Sequence, residues 1–171
     1  MNDLNYFHPS SHILTAGNNY KPIYNIQKGD KIIDIQGNIC NVLCLVKINC
    51  QNEKCYMVNI EDTIVAPYQP IKIDGEWKFP GTLKLPILYD CICVFNLVLD
   101  KGHTIIVNNT ISCTLGHNLS DNDVVYHHYL GTNSIINDLK KSKDFENGFI
   151  TLDMTSFISE PHTNLTTSIK L

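Results

Sequence analysis

The stretch Val94-Phe-Asn-Leu-Val-Leu-Asp-Lys-Gly-His-Thr-Ile-Ile-Val107 decides how the chain is read. Two runs of β-branched and aromatic residues flank Lys101-Gly102, which specifies a strand, a turn and a second strand. The same grammar extends outward in both directions. Short apolar runs recur at Ile13-Leu14, Ile32 to Ile35, Ile39 to Ile48, Tyr56 to Ile60, Ile64-Val65 and Ile71 to Ile73. Turn signals punctuate them: Gly17-Asn18-Asn19, Lys28-Gly29-Asp30, Gln36-Gly37-Asn38, Asp74-Gly75 and Asn108-Asn109. The pattern is all-β with hairpins. One helix is predicted, over about 133–143, where Thr132 or Asn133 can cap, Ile135, Ile136 and Leu139 share a face, and Lys140, Lys141 and Lys143 suit the last turn.

With 171 residues, 43% of them hydrophobic and 18% charged, the chain suits one domain with a substantial core. No run approaches the roughly 20 apolar residues of a membrane-spanning helix. Met1 to Tyr6 lacks the features of a signal peptide, so synthesis in the cytosol is expected. The basic residues are all Lys; without the bidentate fork of Arg, and with its lysines scattered, the chain is a poor nucleic-acid binder. Abundant Asn, Ile and Lys fit an AT-rich genome, such as that of a protist or a large DNA virus, the latter placing the chain in a virion. The seven cysteines, odd in number and without a secretory signal, are expected as reduced thiols. Cys50-x4-Cys55 and Cys91-x-Cys93 match no zinc spacing.

Four segments in order carry a resemblance: Tyr6-Phe-His-Pro-Ser-Ser-His-Ile13, Ile26-Gln-Lys-Gly-Asp30, Val65-Ala-Pro-Tyr-Gln-Pro-Ile71 with Gly75-Glu-Trp-Lys-Phe-Pro80, and Val94 to Asn108 followed by Ser112-Cys-Thr-Leu-Gly-His117. Together they resemble a Hint domain, the fold of inteins and of the hedgehog autoprocessing domain, and in particular the Vint branch associated with von Willebrand factor A domains. His127-His-Tyr-Leu-Gly-Thr132 and Gly148-Phe-Ile150 extend the likeness toward the C-terminus. The resemblance implies a pseudo-twofold, horseshoe-like all-β core over about residues 6–119. A C-terminal extension over 120–171 would carry the helix, all within a single domain.

Hint chemistry uses a Cys, Ser or Thr that attacks the carbonyl of its preceding residue. The matching position is Tyr6, whose phenol oxygen sits at the far end of a rigid ring and titrates only near pH ~10. The Thr-x-x-His that supports the reaction falls on Ala66 and Gln69, and a Gln cannot deliver a proton near neutral pH. Scission at Tyr6 would release only Met1 to Asn5. Where inteins end in His-Asn the chain has Cys113-Thr114; His117-Asn118 repeats the pair later, but Leu119 is no nucleophile. The expectation is a domain that has lost autoprocessing and serves as a structural or protein-interaction module, through self-association or a protein partner, without a cofactor.

Other roles compete with this one. Cys113 matches a cysteine that assists hedgehog-type chemistry, and with His103 or His117 it could support residual autoprocessing; its plainer reading is core packing. Cys113, His117, His127 and His128 form a set of soft ligands for a metal, at no established spacing. Ser10, Ser11 and His12 are adjacent in an extended segment and face opposite ways, which disfavours a Ser/His hydrolase. Trp77 and Phe79 read as packing for the hairpin. Phe149 to Leu152 and Phe157-Ile158 are expected to add strands to an open sheet edge.

Overall fold

The computed structural model describes residues 2–171. In chain order its strands and helices are β1 (His12–Leu14), β2 (Tyr20–Pro22), β3 (Lys31–Ile33), β4 (Ile39–Asn49), β5 (Lys54–Ile60), β6 (Thr63–Val65), β7 (Ile71–Ile73), β8 (Glu76–Lys78), α1 (Pro80–Leu83), β9 (Ile87–Asp90), β10 (Cys93–Leu99), β11 (Thr104–Val107), β12 (Thr110–Cys113), α2 (Asn133–Leu139), α3 (Lys143–Asn147), β13 (Phe149–Asp153), β14 (Phe157–Ser159) and β15 (Thr166–Ile169). The fold is all-β and open, as the strand grammar predicts. No helix among the described residues is long and apolar enough to cross a membrane.

Strand β4 is the spine. Its alternation of buried and half-buried positions reflects a strand with one face in the core. Strand β10 lies antiparallel along one side, from Cys93 opposite Asn49 to Leu99 opposite Val42, with a bulge after Val98. Two strands pair with β4 besides: β3, with Ile32 opposite Cys40, and β13, which runs parallel from Phe149 opposite Leu45 to Asp153 opposite Asn49. A six-stranded sheet, ordered β2-β1-β11-β12-β7-β8, and a three-stranded sheet, β6-β5-β9, complete the core.

Three hairpins close through two-residue loops with both central residues at positive φ: Glu61-Asp62, Asp74-Gly75 and Asn108-Asn109. That geometry matches the right-handed twist of the flanking strands. The last two are legible as turn signals. Glu61-Asp62 is not, because neither residue favours positive φ strongly enough to announce it.

The C-terminal part differs from expectation in one respect. The helix expected to run to 143 ends at Leu139, and a second starts at Lys143, because the Ser142 hydroxyl accepts from the Asp144 amide and caps a new helix. Strands at Phe149–Asp153 and Phe157–Ser159 form where expected: β13 adds to β4 as the outer strand of its sheet, and β14 pairs with β15.

Candidate functional site

Residues 6–8 are stitched between two strands. The Phe7 amide and carbonyl exchange hydrogen bonds with Phe95 of β10 at 2.8 and 3.0 Å, the His8 amide donates to the Ile64 carbonyl at 3.0 Å, and the Ala66 amide donates to the Tyr6 carbonyl at 2.9 Å. This fixes the Asn5–Tyr6 peptide in the protein interior. The Asn96 side-chain amide donates to the Asn5 carbonyl at 3.0 Å and accepts from the Leu97 amide at 2.7 Å. With its own amide oriented to donate, Asn5 bonds the Asp3 and Tyr68 carbonyls at 3.2 and 3.1 Å.

The Tyr6 ring turns away from this peptide. Its hydroxyl donates to the Tyr56 carbonyl at 2.9 Å, and the ring is buried. Burial, and then the neighbouring Cys55, Cys50 and Cys91, push the phenol well above its ordinary pKa. A neutral phenol committed to a carbonyl on β5 has neither the charge nor the direction to attack Asn5.

Ala66 and Gln69 are both fully buried beside this peptide. The Gln69 backbone N–H donates to the Ala66 carbonyl at 3.1 Å, so Pro67 and Tyr68 form the bend of a tight turn. The Gln69 side-chain nitrogen donates to the Cys113 carbonyl at 2.9 Å and to the Ser112 hydroxyl at 3.1 Å, while its oxygen faces the Asn96 amide at 3.4 Å. The Ser112 hydroxyl in turn donates to the Pro70 carbonyl at 2.6 Å. The network is neutral and closed, with no group in it that transfers a proton near pH 7.

Cys113 is fully buried and its thiol is pushed far up by desolvation. Its sulfur lies 3.9 Å from the Gln69 nitrogen. Residues 102–103 turn sharply: Gly102 and His103 both take positive φ, and a Cβ on Gly102 would overlap the Cys40 thiol. Burial lowers the His103 pKa against the pull of Asp100, and its Nδ1 is buried without a partner. His117 follows Gly116, where a Cβ would overlap Ile136. Its Nδ1 accepts from the Leu119 amide at 2.9 Å, its Nε2 is unpartnered, and burial followed by His103 and His127 brings its pKa down to about 4.

His127 has a different task. Its Nδ1 accepts from the Tyr129 and Leu130 amides at 3.1 and 2.9 Å, so Nε2 carries the proton and donates to Asp3 at 2.6 Å. Asp3 also accepts from the Thr166 amide and hydroxyl. Burial pushes the Asp3 carboxyl up, yet the bonds from His127 and Thr166 outweigh it and hold it below the ordinary range. His128 stacks on His127 at 5.0 Å. Among the described residues no three His, Cys, Asp or Glu side chains are arranged to hold a metal ion. The set of Cys113, His117 and His127 is thus not assembled as one, because Cys113 faces Gln69 and His127 is taken by Asp3.

Sequence reasoning passed over Asn96, Ser112 and Asp3. Asn96 had a signal, being the one polar residue inside Val94 to Leu99. Asp3 had none, since its partners stand at positions 127 and 166. A cleft of about 460 Å³ opens beside Asn5, walled by Tyr68, Phe79, Val125, Tyr126 and Leu165.

A sequence profile described as Vint, a Hint-domain family, matches residues 5–168. No curated protein matches the chain. Among solved structures, the bacterial intein-like domain from Clostridium thermocellum superposes with a TM-score of 0.52 at 19% identity, covering 65% of this chain and 99% of that one. A DnaB intein from Synechocystis sp. PCC 6803 superposes with a TM-score of 0.50 at 15% identity, covering 65% and 99%. At these identities the likeness is one of fold.

Proposed function

The chain belongs to the Vint family of Hint domains, and from that premise we propose that it is a Hint domain without autoproteolytic chemistry, retained as a structural or protein-binding module. The observation that carries this reading is the bond from the Tyr6 hydroxyl to the Tyr56 carbonyl, which commits the residue at the nucleophile position to a structural contact. Gln69, closed into a neutral network, supports it from the side of the proton donor.

A binding role draws support from one surface. Strand β9 is the outer strand of its sheet, and Leu85, Ile87, Leu88 and Ile92 on or beside it are exposed, with Tyr56 of β5 opposite Leu88. Exposed apolar groups on an unpaired edge invite association.

Residual autoprocessing through Cys113 with His103 or His117 is favoured by the unpartnered nitrogens of the two histidines. Intact-mass measurement separates the readings. Incubated with dithiothreitol or hydroxylamine, which intercept thioesters and esters, the protein should keep its full mass. A product beginning at Tyr6 would overturn the proposal.

A further inference from the structure

The cleft of about 460 Å³ beside Asn5 lies where the core meets the C-terminal extension. Tyr68 and Phe79 line it from the core, Tyr126 and Leu165 from the extension, and Asp3 and Asp123 border the same space. Its volume falls in the range of small-molecule sites, in which aromatic and apolar walls surround a few polar groups.

The rings stand on turns that the backbone fixes. Tyr68 occupies the bend between Ala66 and Gln69, and the Gly81 amide donates to the Pro67 carbonyl at 2.9 Å, which seats α1 on that bend. A Cβ on Gly81 would press on Pro67 at 3.1 Å, so the approach is close. Phe79 leads into α1, and its carbonyl accepts from the Thr82 amide and hydroxyl at 3.0 and 2.7 Å. Its ring meets that of Tyr68 edge to face, with centroids 5.4 Å apart and planes at 69°. Tyr126 stands on a turn closed by Asn122, whose side-chain oxygen accepts from the Val124 and Val125 amides at 3.0 and 3.3 Å and whose carbonyl accepts from the Tyr126 amide at 3.1 Å. Val125 anchors this turn in the buried cluster of Trp77 and Cys113. Tyr68 and Tyr126 nevertheless remain 40% and 54% exposed. Aromatic rings held in place around a concavity, yet left open to solvent, form a surface for a ligand.

Charge selects the ligand. Among the described residues, no Lys lines the cleft. His127 accepts two backbone amides at Nδ1, so it cannot take a second proton there without giving them up. Asp123 has no ion-pair partner among the described residues. Carboxylates and the faces of aromatic rings both attract a cation. A primary ammonium would leave N–H donors unpaired against Phe79, Val125 and Leu165, whereas a quaternary ammonium spreads its charge over methyl groups and needs no acceptor. We propose that the cleft binds a small molecule with a quaternary ammonium head group, whose methyl groups meet Tyr68, Phe79 and Tyr126 while Asp123 supplies the counter-charge. The site depends neither on the loss of autoprocessing nor on association through β9.

Choline titrated into nitrogen-15-labelled full-length protein should give saturable amide shifts at Tyr68, Val125, Tyr126 and Leu165, with a Kd on the order of 1 mM or below, the scale of a head group with few atoms. Its neutral carbon isostere, 3,3-dimethylbutan-1-ol, should bind about ten-fold more weakly or worse. Tyr126→Ala and Asp123→Asn, both at exposed positions, should each weaken choline by about three- to ten-fold, whereas Tyr24→Ala, at an equally exposed tyrosine outside the cleft, should not. No saturable shift at these amides, equal affinity for choline and the alcohol, or unchanged affinity in either cleft variant would overturn the assignment. A trimethyllysine peptide that binds more than about ten-fold tighter than choline would give the site to a protein side chain and overturn the small-molecule occupant.

Discussion

The side-chain amide of Asn96 donates to the carbonyl oxygen of Asn5 at 3.0 Å, with both residues buried. The carbonyl that Hint chemistry would attack is thus still held by a hydrogen-bond donor, although the residue after it presents a phenol that faces the other way. The same oxygen and nitrogen of Asn96 tie this peptide to β10 and to Gln69. These bonds hold the Asn5–Tyr6 peptide in place in the interior and contribute to stability.

Asn96→Ala leaves the Asn5 carbonyl and the Leu97 amide without their side-chain partners in the interior. Thermal or urea unfolding should show a loss of about 2–6 kcal/mol, the sum for two buried groups left without a partner. A loss under about half a kcal/mol would mean that Asn96 does not hold the peptide.

Restoring reactivity should require several changes at once. Tyr6→Cys alone, behind a folded N-terminal fusion, should cleave slowly or not at all with added thiol. Tyr6→Cys with Ala66→Thr and Gln69→His should release the fusion faster, because nucleophile, support and proton donor act as a unit. Equal rates by gel densitometry would show that positions 66 and 69 do not perform those roles.

Two groups give stability a pH dependence in separate windows. His117 has a folded pKa lowered to about 4 from its ordinary 6.5, so the unfolded chain binds a proton that the folded one refuses. Stability should therefore fall as pH drops from 6.5 toward 4. His117→Asn, whose oxygen can still accept from the Leu119 amide, should flatten that slope in denaturant titrations. Asp3 has a lowered folded pKa, so its contribution is intact above its ordinary 3.8 and disappears only as pH falls further. Asp3→Asn should cost about 1–3 kcal/mol at pH 7, where the charged bonds to His127 and Thr166 are fully formed.

If the β9 surface serves association, size exclusion with light scattering should find a species larger than the monomer, or a partner retained from the source. Leu88→Lys should dissociate it without changing the far-ultraviolet dichroism. A monodisperse monomer, unchanged by the substitution and carrying no partner, would leave the binding role without support.

The sequence by itself determined the strand-rich fold. The apolar runs at Ile39 to Ile48 and Val94 to Leu99, and turns such as Asp74-Gly75, are local signals set by side-chain alternation and backbone sterics. That positions 6, 66 and 69 carry a phenol, a methyl group and a carboxamide was equally legible, since residue type alone fixes whether a side chain carries a proton near pH 7. Tertiary structure decided everything that joins distant positions. It turned the Tyr6 hydroxyl to Tyr56, bound Asp3 to His127 and Thr166, placed β13 against β4, and buried Cys50, Cys55 and Cys91 in one core cluster. No period or spacing encodes such contacts, because they arise only when separate strands and turns close around a shared core.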